Sequence, residues 1–303
     1  MPKSAYKDAI LNKLDNIRYS EKLTPYWLLL PFLVAVLAFK AFPTLWAPWM
    51  ATQEYSLVGT EFVGLANYVD LWEREVFFDS LRVTFIITAI RAPISIGFGL
   101  AAALAVNSLF IKYKSIWRTL YIAPIVVAPV IVAIILRMFL EPYAILDLIT
   151  LNVFDFRIQW LNSPLPAQLS VALAGAYVSI AVNFIFFLAG LVGVDQSLYR
   201  AAKVDGANKL QQFRHVTIPQ LRPIIVMVTI LETNRALKVF AEPQVLTNGG
   251  EPGGATRTVV VLLYREAFVN LNLGFSAAIG LALTVIIATL MLIEYRIGQG
   301  PET

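Results

Sequence analysis

The sequence contains six apolar stretches, each about as long as a helix needs to cross the hydrocarbon core of a bilayer, which takes about 20 residues. The predicted spans cover residues 26–46, 81–106, 116–136, 167–194, 223–240 and 274–293. Backbone groups in hydrocarbon must be paired within their own segment, and these stretches lack the alternation of barrel strands. We therefore predict an all-α, polytopic membrane protein with about six transmembrane helices.

The composition supports a chain that is solvated by lipid. Hydrophobic residues make up 58% of the 303 residues and charged residues 15%, whereas soluble domains carry about 25% charged residues. The absence of cysteine excludes disulfides and thiolate nucleophiles, and the single histidine, His215, cannot form a cluster around a metal ion. We accordingly expect no catalytic residues and no metal site.

The basic residues predict the orientation of the chain. If the N-terminus is cytoplasmic, the segments on that side hold most of the Lys and Arg residues outside the spans, including Lys112, Lys203 and Arg296. The outer segments hold few. This asymmetry follows the positive-inside rule and predicts a multi-pass inner-membrane protein with both termini in the cytoplasm. Topology thus accounts for the net charge of +4, and nucleic acid is not expected as a partner.

The chain is predicted to form one membrane domain preceded by a short polar N-terminal segment. Residues 1–22 are basic and carry apolar residues at helical spacing, so they suit a cytoplasmic segment or an amphipathic helix in contact with membrane lipids. Residues 23–303 are expected to form a single transmembrane domain. Its one elaborate cytoplasmic loop lies at about 195–222, and we call this loop the elbow.

The first half of the elbow has the pattern of a short capped helix. Asp195 or Ser197 can cap it, because their side chains accept hydrogen bonds from the N–H groups of a first turn. Helical spacing places three side chains on one face: Leu198, Ala201 and Ala202. Gly206 can supply the left-handed conformation that ends the helix.

The second half of the elbow predicts another short helix, which begins at Asn208, includes Leu210 and Phe213 and stops at Pro219 before the fifth span. Two short helices would then project from the membrane and meet at residues 205–206. Paired alanines allow another surface to approach closely, so this shape suits a cytoplasmic partner that transmits force. An ordinary amphipathic loop on the lipid headgroups fits the same pattern.

The elbow resembles the EAA motif of binding-protein-dependent ABC importer permeases, which reads roughly E-A-A-x-x-D-G-A-(x)n-F-x-x-I-x-L-P-x-L-x-P. The matching residues are Ala201, Ala202, Asp205, Gly206, Ala207, Phe213, Pro219, Leu221 and Pro223. Arg200 stands where the motif has Glu, so an ion pair made by that Glu does not carry over to this chain, whereas the bent shape does.

Other segments extend the resemblance over nearly the whole chain. Residues 62–68 read FVGLANY, residues 189–191 read AGL and residues 246–250 read LTNGG, as in sugar-type permeases. Glu251 interrupts the Gly-Gly-Pro pattern of the last segment. The chain is thus similar to the carbohydrate uptake group, which includes maltose and glycerol-3-phosphate permeases, and the resemblance implies the MetI-like ABC importer permease fold.

The resemblance also implies partners. A second homologous permease would complete the pore, two ATPase subunits would bind the elbow, and an extracytoplasmic binding protein would deliver a sugar or a related solute. The residues implied in ATPase coupling are Leu198, Tyr199, Arg200, Ala201, Ala202, Asp205, Gly206, Ala207 and Phe213. The sequence has no G-x-x-x-x-G-K-[ST] loop to bind phosphates. This chain is therefore expected to be no enzyme and to hold no cofactor, with ATP and Mg²⁺ on the partner ATPase.

Polar side chains inside the predicted spans are costly in lipid and usually face a cavity or a neighbouring helix. The candidates for the substrate pathway are Asn183, Glu232, Thr233, Asn234, Arg235 and Lys238. Their donors and acceptors suit a polyhydroxylated solute. The same residues are also compatible with an interhelical Glu–Arg or Glu–Lys pair, or with hydrogen bonds to the second permease.

Three other functions fit part of the pattern. A glycerol-3-phosphate or polyol importer is the main alternative, because Arg91, Arg235 and Lys238 would suit a phosphate, although Glu232 and the family pattern favour a neutral sugar. A membrane enzyme acting on lipid would need clustered acidic or histidine residues at one membrane face. A secondary transporter usually has more spans and internal repeats, and we find no such repeat.

Overall fold

The computed structural model describes residues 24–56, 59–108 and 112–299, and most of these residues are helical. The helices are α1 Thr24–Val36, α2 Phe42–Met50, α3 Ala66–Glu73, α4 Glu75–Asn107, α5 Lys114–Ile122, α6 Pro129–Leu140, α7 Ile145–Phe154, α8 Pro164–Gly193, α9 Gln196–Val204, α10 Lys209–Gln212, α11 Ile218–Leu237, α12 Ala241–Leu246, α13 Val259–Tyr264 and α14 Leu273–Gln299. Strands β1 Gln53–Ser56 and β2 Gly59–Phe62 form an antiparallel hairpin. The predicted N-terminal amphipathic segment lies outside the described residues.

Within the described residues, four helical stretches are long and apolar enough to cross a membrane: Thr24–Met50, Glu75–Asn107, Pro164–Gly193 and Leu273–Gly298. They correspond to the first, second, fourth and sixth predicted spans. The first stretch joins α1 to α2 through a π-helical turn at Leu37–Ala41 and buries none of its residues against the rest of the chain. Its exposed apolar surface is what a bilayer or a membrane partner would cover.

The third predicted span is not the single helix over residues 116–136 that the sequence suggested. It consists of α5, a 3₁₀ turn at Ala123–Val126 and α6, with a bend of 95° between the two halves. Pro124 and Pro129 each lie in the first turn of a new helical segment. Because proline lacks an N–H and its ring clashes with the preceding turn, it begins helices readily and interrupts them elsewhere.

The fifth predicted span corresponds to α11, which is less apolar than the other spans because it carries Arg222, Glu232 and Arg235. It packs against α4, α8 and α14, so most of its length is surrounded by protein. With α11 and the bent pair counted as one span each, the architecture is consistent with the predicted set of about six membrane helices.

Among the described elements, the most extensive helix–helix contact is that between α4 and α8. Small residues allow the two backbones to approach closely: a Cβ atom added at Gly99 would lie 2.8 Å from the Asn183 Cβ and 3.2 Å from the Phe184 backbone nitrogen. Towards the end of α8 that leads into the elbow, Phe184 and Phe187 pack with Ala103 of α4 and Val228 of α11. The three helices α4, α8 and α11 thus form the core that positions the site.

The Gly99 contact predicts a specific sensitivity of the fold. We expect Gly99→Ala to lower the unfolding temperature of the purified protein in detergent, since overpacking a filled contact costs about 1–3 kcal/mol. Gly97→Ala in the same helix is the matched control, because no atom lies within 4 Å of its added Cβ and alanine is the better helix former. Equal unfolding temperatures for the two variants, measured by size exclusion after heating, would refute the close α4–α8 contact.

Candidate functional site

The first half of the elbow folds as its sequence predicted. The Asp195 carboxylate caps α9 by accepting a hydrogen bond of 2.8 Å from the Ser197 backbone N–H. That bond, together with the Ser197 hydroxyl and the nearby charge of Arg200, holds the pKa of Asp195 below its ordinary value. The stabilisation from this cap is therefore present above the ordinary pKa and is lost as the pH falls through the lowered one.

The turn between α9 and α10 is also the predicted one. Gly206 has a φ of 82°, in the left-handed region, and the Ala207 N–H donates back to the Ala202 carbonyl at 2.9 Å. Asn208 then starts α10 with a capping box, in which its side chain and that of Gln211 each accept a hydrogen bond from the other residue's backbone N–H. Local hydrogen bonds thus hold both arms of the elbow and the corner between them.

The second arm does not stop at Pro219, contrary to the sequence-based expectation. After α10 the chain makes a π-helical turn at Phe213–Thr217 and continues directly into α11. The Ile218 N–H bonds to the Phe213 carbonyl, five residues earlier. Pro219 lies in the first turn of α11 and has no backbone N–H to donate. The wider turn before it accommodates this loss without ending the helical path. The elbow is therefore a direct extension of a core helix.

The predicted coupling residues lie together on this projecting segment. Arg200, Ala201, Asp205 and Gly206 are exposed, and the half-buried members are Tyr199, Ala202, Ala207 and Phe213. The Tyr199 hydroxyl is hydrogen-bonded to that of Thr217 at 2.9 Å, which ties α9 to the π-helical turn. Leu198 is 38% exposed, and two further apolar side chains are more exposed, Val204 at 87% and Leu210 at 74%. Exposed apolar residues on a rigid support are typical of a surface that binds another protein.

A buried arginine lies at the centre of the bundle. Arg91, near the middle of α4, donates from Nε to Glu232 Oε1 at 3.0 Å and from Nη2 to Ser179 Oγ at 2.9 Å. Its Nη1 lies 3.6 Å from Oε1 of Glu242 in α12. One guanidinium thus links α4, α8, α11 and α12. We call Arg91, Ser179, Glu232 and Glu242 the ionic centre.

The surroundings of the ionic centre are shaped to fit it. A Cβ atom at Gly175 would lie 2.5 Å from Arg91 Nη1, so only glycine leaves room for the guanidinium. The Glu232 side chain is fully buried, and among the described residues its Oε2 atom accepts no hydrogen bond. Arg235 Nη1 lies 4.0 Å from that atom. Two carboxylates therefore depend mainly on one arginine for their charge balance.

The structure divides the predicted pathway residues between two faces of α11. Glu232, Arg235 and Lys238 lie towards the ionic centre. Thr233 and Asn234 face α14 instead, where Thr233 Oγ1 donates to Glu294 Oε1 at 2.7 Å and the Asn234 amide contacts the sulfur of Met291 at 3.4 Å. The interhelical Glu–Arg pair that the sequence left open as an alternative is formed by Glu232 and Arg91.

Asn183 lies apart from the other predicted pathway residues. It is buried in the α4–α8 contact beside Gly99 and does not line the groove described next. The sequence analysis also missed Glu242 and Ser179, two partners of Arg91. The only signal for them was that a lone arginine inside an apolar span needs a counterion.

Arg91, Arg235 and Lys238 line an open groove of about 450 Å³ between α6, α8, α11 and α12. The other lining residues are Pro129, Gly175, Val178, Ser179, Val182, Val239, Phe240, Ala241 and Glu242. Apolar walls with a few charged groups are typical of a ligand site. Charged side chains of this kind avoid lipid, so the groove is expected to face water or a protein partner.

The elbow, α8, α11 and most of the groove lie within a region that matches a known family. The model of the "Binding-protein-dependent transport system inner membrane component" family matches residues 95–300, more than half of the chain. The chain belongs to this family. It is therefore a transport permease and a component of the inner membrane.

Individual relatives of this permease match almost over their full length. The sn-glycerol-3-phosphate transport system permease protein UgpA of Agrobacterium fabrum is 32% identical over 290 residues, covering 93% of this chain and 97% of the relative. The arabinooligosaccharides transport system permease protein AraP of Bacillus subtilis is 29% identical over 284 residues, covering 93% and 90%.

The fold of the permease also matches a solved structure. A bacterial ABC transporter involved in the import of the acidic polysaccharide alginate contains a chain with a TM-score of 0.80 at 20% identity, covering 99% of this permease and 100% of that chain. This match confirms the permease fold that the resemblance implied.

The ionic centre yields a prediction for this permease. Arg91→Met is expected to lower the free energy of unfolding in detergent by about 3–5 kcal/mol, because it leaves two buried carboxylates without their cation. Adding Glu232→Gln should recover part of the loss, since the two residues act as one unit. Titration with a denaturing detergent would measure both effects.

Arg82→Met is the matched control for this experiment, because Arg82 is an exposed residue of the same helix. It should change the free energy of unfolding by no more than about 0.5 kcal/mol. An Arg91→Met variant as stable as the Arg82→Met variant would contradict the role given to the ionic centre.

Proposed function

We propose that this permease forms one half of the translocation pathway of an ATP-driven importer for a sugar or a related polyhydroxylated solute. One observation carries the proposal. A single helical path, α10 through α11, has the exposed elbow at one end and the charged groove at the other. A force applied to the elbow therefore acts directly on residues that line the candidate pathway.

The relatives support a polyhydroxylated solute. UgpA is named for sn-glycerol-3-phosphate and AraP for arabinooligosaccharides, and both compounds carry several hydroxyl groups. The groove of this permease offers Ser179 and charged side chains for hydrogen bonds, with Phe240 as an aromatic wall. Glycerol-3-phosphate or another polyol is the second candidate, because the cations of the groove suit a phosphate.

The energy for transport must reach this chain through contact. The sequence contains no phosphate-binding loop, so we assign ATP, Mg²⁺ and hydrolysis to two separate ATPase subunits and no cofactor to this chain. The elbow is the natural surface for them, with the apolar side chains of Val204 and Leu210 exposed between basic residues. When the ATPase subunits close, α9 and α10 would move together and tilt α11, which changes the side from which the groove is open.

The remaining partners follow from the same orientation. The excess of basic residues at the elbow favours its placement in the cytoplasm, with both termini on that side. An extracytoplasmic binding protein would then deliver the solute at the opposite end, near α12. A second, homologous permease would cover the open side of the groove and complete the pathway.

A cysteine crosslink tests whether the elbow binds an ATPase. The chain has no native cysteine, so Ala202→Cys introduces a single thiol on α9. In membranes that contain the assembled transporter, a short bifunctional maleimide is expected to join this position to an ATPase subunit with a cysteine in its docking groove. The readout is a band on a denaturing gel at the summed mass of the two chains.

Arg157→Cys is the matched control, because Arg157 is exposed in the loop between α7 and α8, at the predicted outer side. It should give no ATPase crosslink under the same conditions. The proposal fails if Ala202→Cys gives no crosslink with any ATPase subunit, or if Arg157→Cys crosslinks as well as Ala202→Cys does.

A further inference from the structure

The positive charges of the groove exceed its negative charges. Arg91, Arg235 and Lys238 line or approach it, against the carboxylates of Glu232 and Glu242. Arg91 engages both carboxylates. Among the residues that the structure describes, Lys238 makes no ion pair, and Arg235 reaches Glu232 only at 4.0 Å. Both residues are exposed and line the groove.

The fold explains how Lys238 is tolerated without a carboxylate of its own. Lys238 follows the last residue of α11, and the carbonyl groups at a helix C-terminus favour a nearby cation. That interaction stabilises the ammonium group but leaves its charge unneutralised. With three cations against two carboxylates, one positive charge remains. It would be costly against hydrocarbon, so an aqueous path with an anion in it is the environment that it fits.

The other residues that line the groove indicate the chemistry of the uncharged part of the ligand. The Phe240 and Tyr264 rings have centroids 5.0 Å apart and are tilted by 50° to each other, and Phe240 lines the groove together with Lys238. Val178 and Val182 of α8 form an apolar wall opposite. A sugar ring or polyol chain has C–H faces for such walls and hydroxyl groups for the polar edge. Lysine and arginine add the donors that phosphate and carboxylate groups prefer.

We propose that the imported solute is anionic, a phosphate ester or a carboxylate of a sugar or polyol, and that Lys238 and Arg235 contact its negative group. This inference rests on the proposed importer function and narrows its substrate class. It departs from the neutral sugar that the sequence favoured, because the structure buries the Glu232 carboxylate against Arg91 and leaves Lys238 exposed in the groove without an ion pair among the described residues.

The test compares matched solutes in liposomes that contain the complete transporter and its binding protein. Each neutral probe is paired with its anionic counterpart: glycerol with sn-glycerol 3-phosphate, and an α-1,4-linked galactotriose with trigalacturonate. ATP-dependent uptake is expected for an anionic member and not for its neutral partner. Uptake of the phosphate ester alone or of the uronate alone identifies which anionic group the site accepts, and either result supports the inference.

Variants of Lys238 test whether the groove is responsible for the preference for an anionic solute. Lys238→Met should raise the KM for the anionic solute by about tenfold or more, as expected for a lost charged hydrogen bond, whereas Lys238→Arg should retain most of the affinity. Lys40→Met is the matched control, since Lys40 is an exposed lysine of the first membrane stretch outside the groove. It should leave the KM unchanged.

The outcomes separate the two claims. ATP-dependent uptake of a neutral probe with no uptake of its anionic partner, or an unchanged KM in Lys238→Met, would overturn the anionic assignment while leaving the importer function in place. Loss of transporter assembly in Lys238→Met, seen as loss of co-purification with the second permease, would also overturn it, because Lys238 would then be an interface residue. Absence of ATP-dependent uptake of all four probes would instead refute the proposed importer function.

Discussion

A charge buried in the middle of a membrane protein must be neutralised within the protein, and this requirement organises the core of the permease. Arg91 meets it by binding Glu232 of α11, Ser179 of α8 and Glu242 of α12. The guanidinium fits because Gly175 leaves room for it. Four helices, α4, α8, α11 and α12, are therefore held at fixed positions around one side chain, and the groove forms along their edge.

The same arrangement connects the groove to the elbow. Glu232 is on α11, and α11 continues through a π-helical turn into α10 without a break. On the other side of the elbow, α9 follows closely after α8, which carries Ser179 and the close α4–α8 contact. Both arms of the elbow thus end in helices that contact Arg91. A movement of the elbow is mechanically coupled to the ionic centre and to the cations that line the groove.

The sequence was most informative where structure is local. The Asp195 cap, the Gly206 corner and the Asn208 capping box depend on neighbours within a few residues, so their patterns predicted them. Long-range geometry was not available in this way. The 95° bend before α6, the burial of Asn183 against Gly99 and the pairing of Glu242 with Arg91 depend on which helices meet in space. The predicted end of the second elbow helix at Pro219 was wrong, because a π-helical turn can accommodate a proline that an ideal α-helix cannot.

The central claim is that the elbow controls access to the groove, and solvent accessibility in the groove tests it most directly. Val178 lines the groove, and Val178→Cys would provide the only thiol in the chain. Its reaction with a membrane-impermeant maleimide can be measured from each side of the membrane, with and without nucleotide trapped on the ATPase subunits. The account predicts that the side of the membrane from which the thiol reacts changes when nucleotide is bound. Locking the elbow to an ATPase subunit by a crosslink should keep that side the same. Reaction from the same side at the same rate in every state would contradict it.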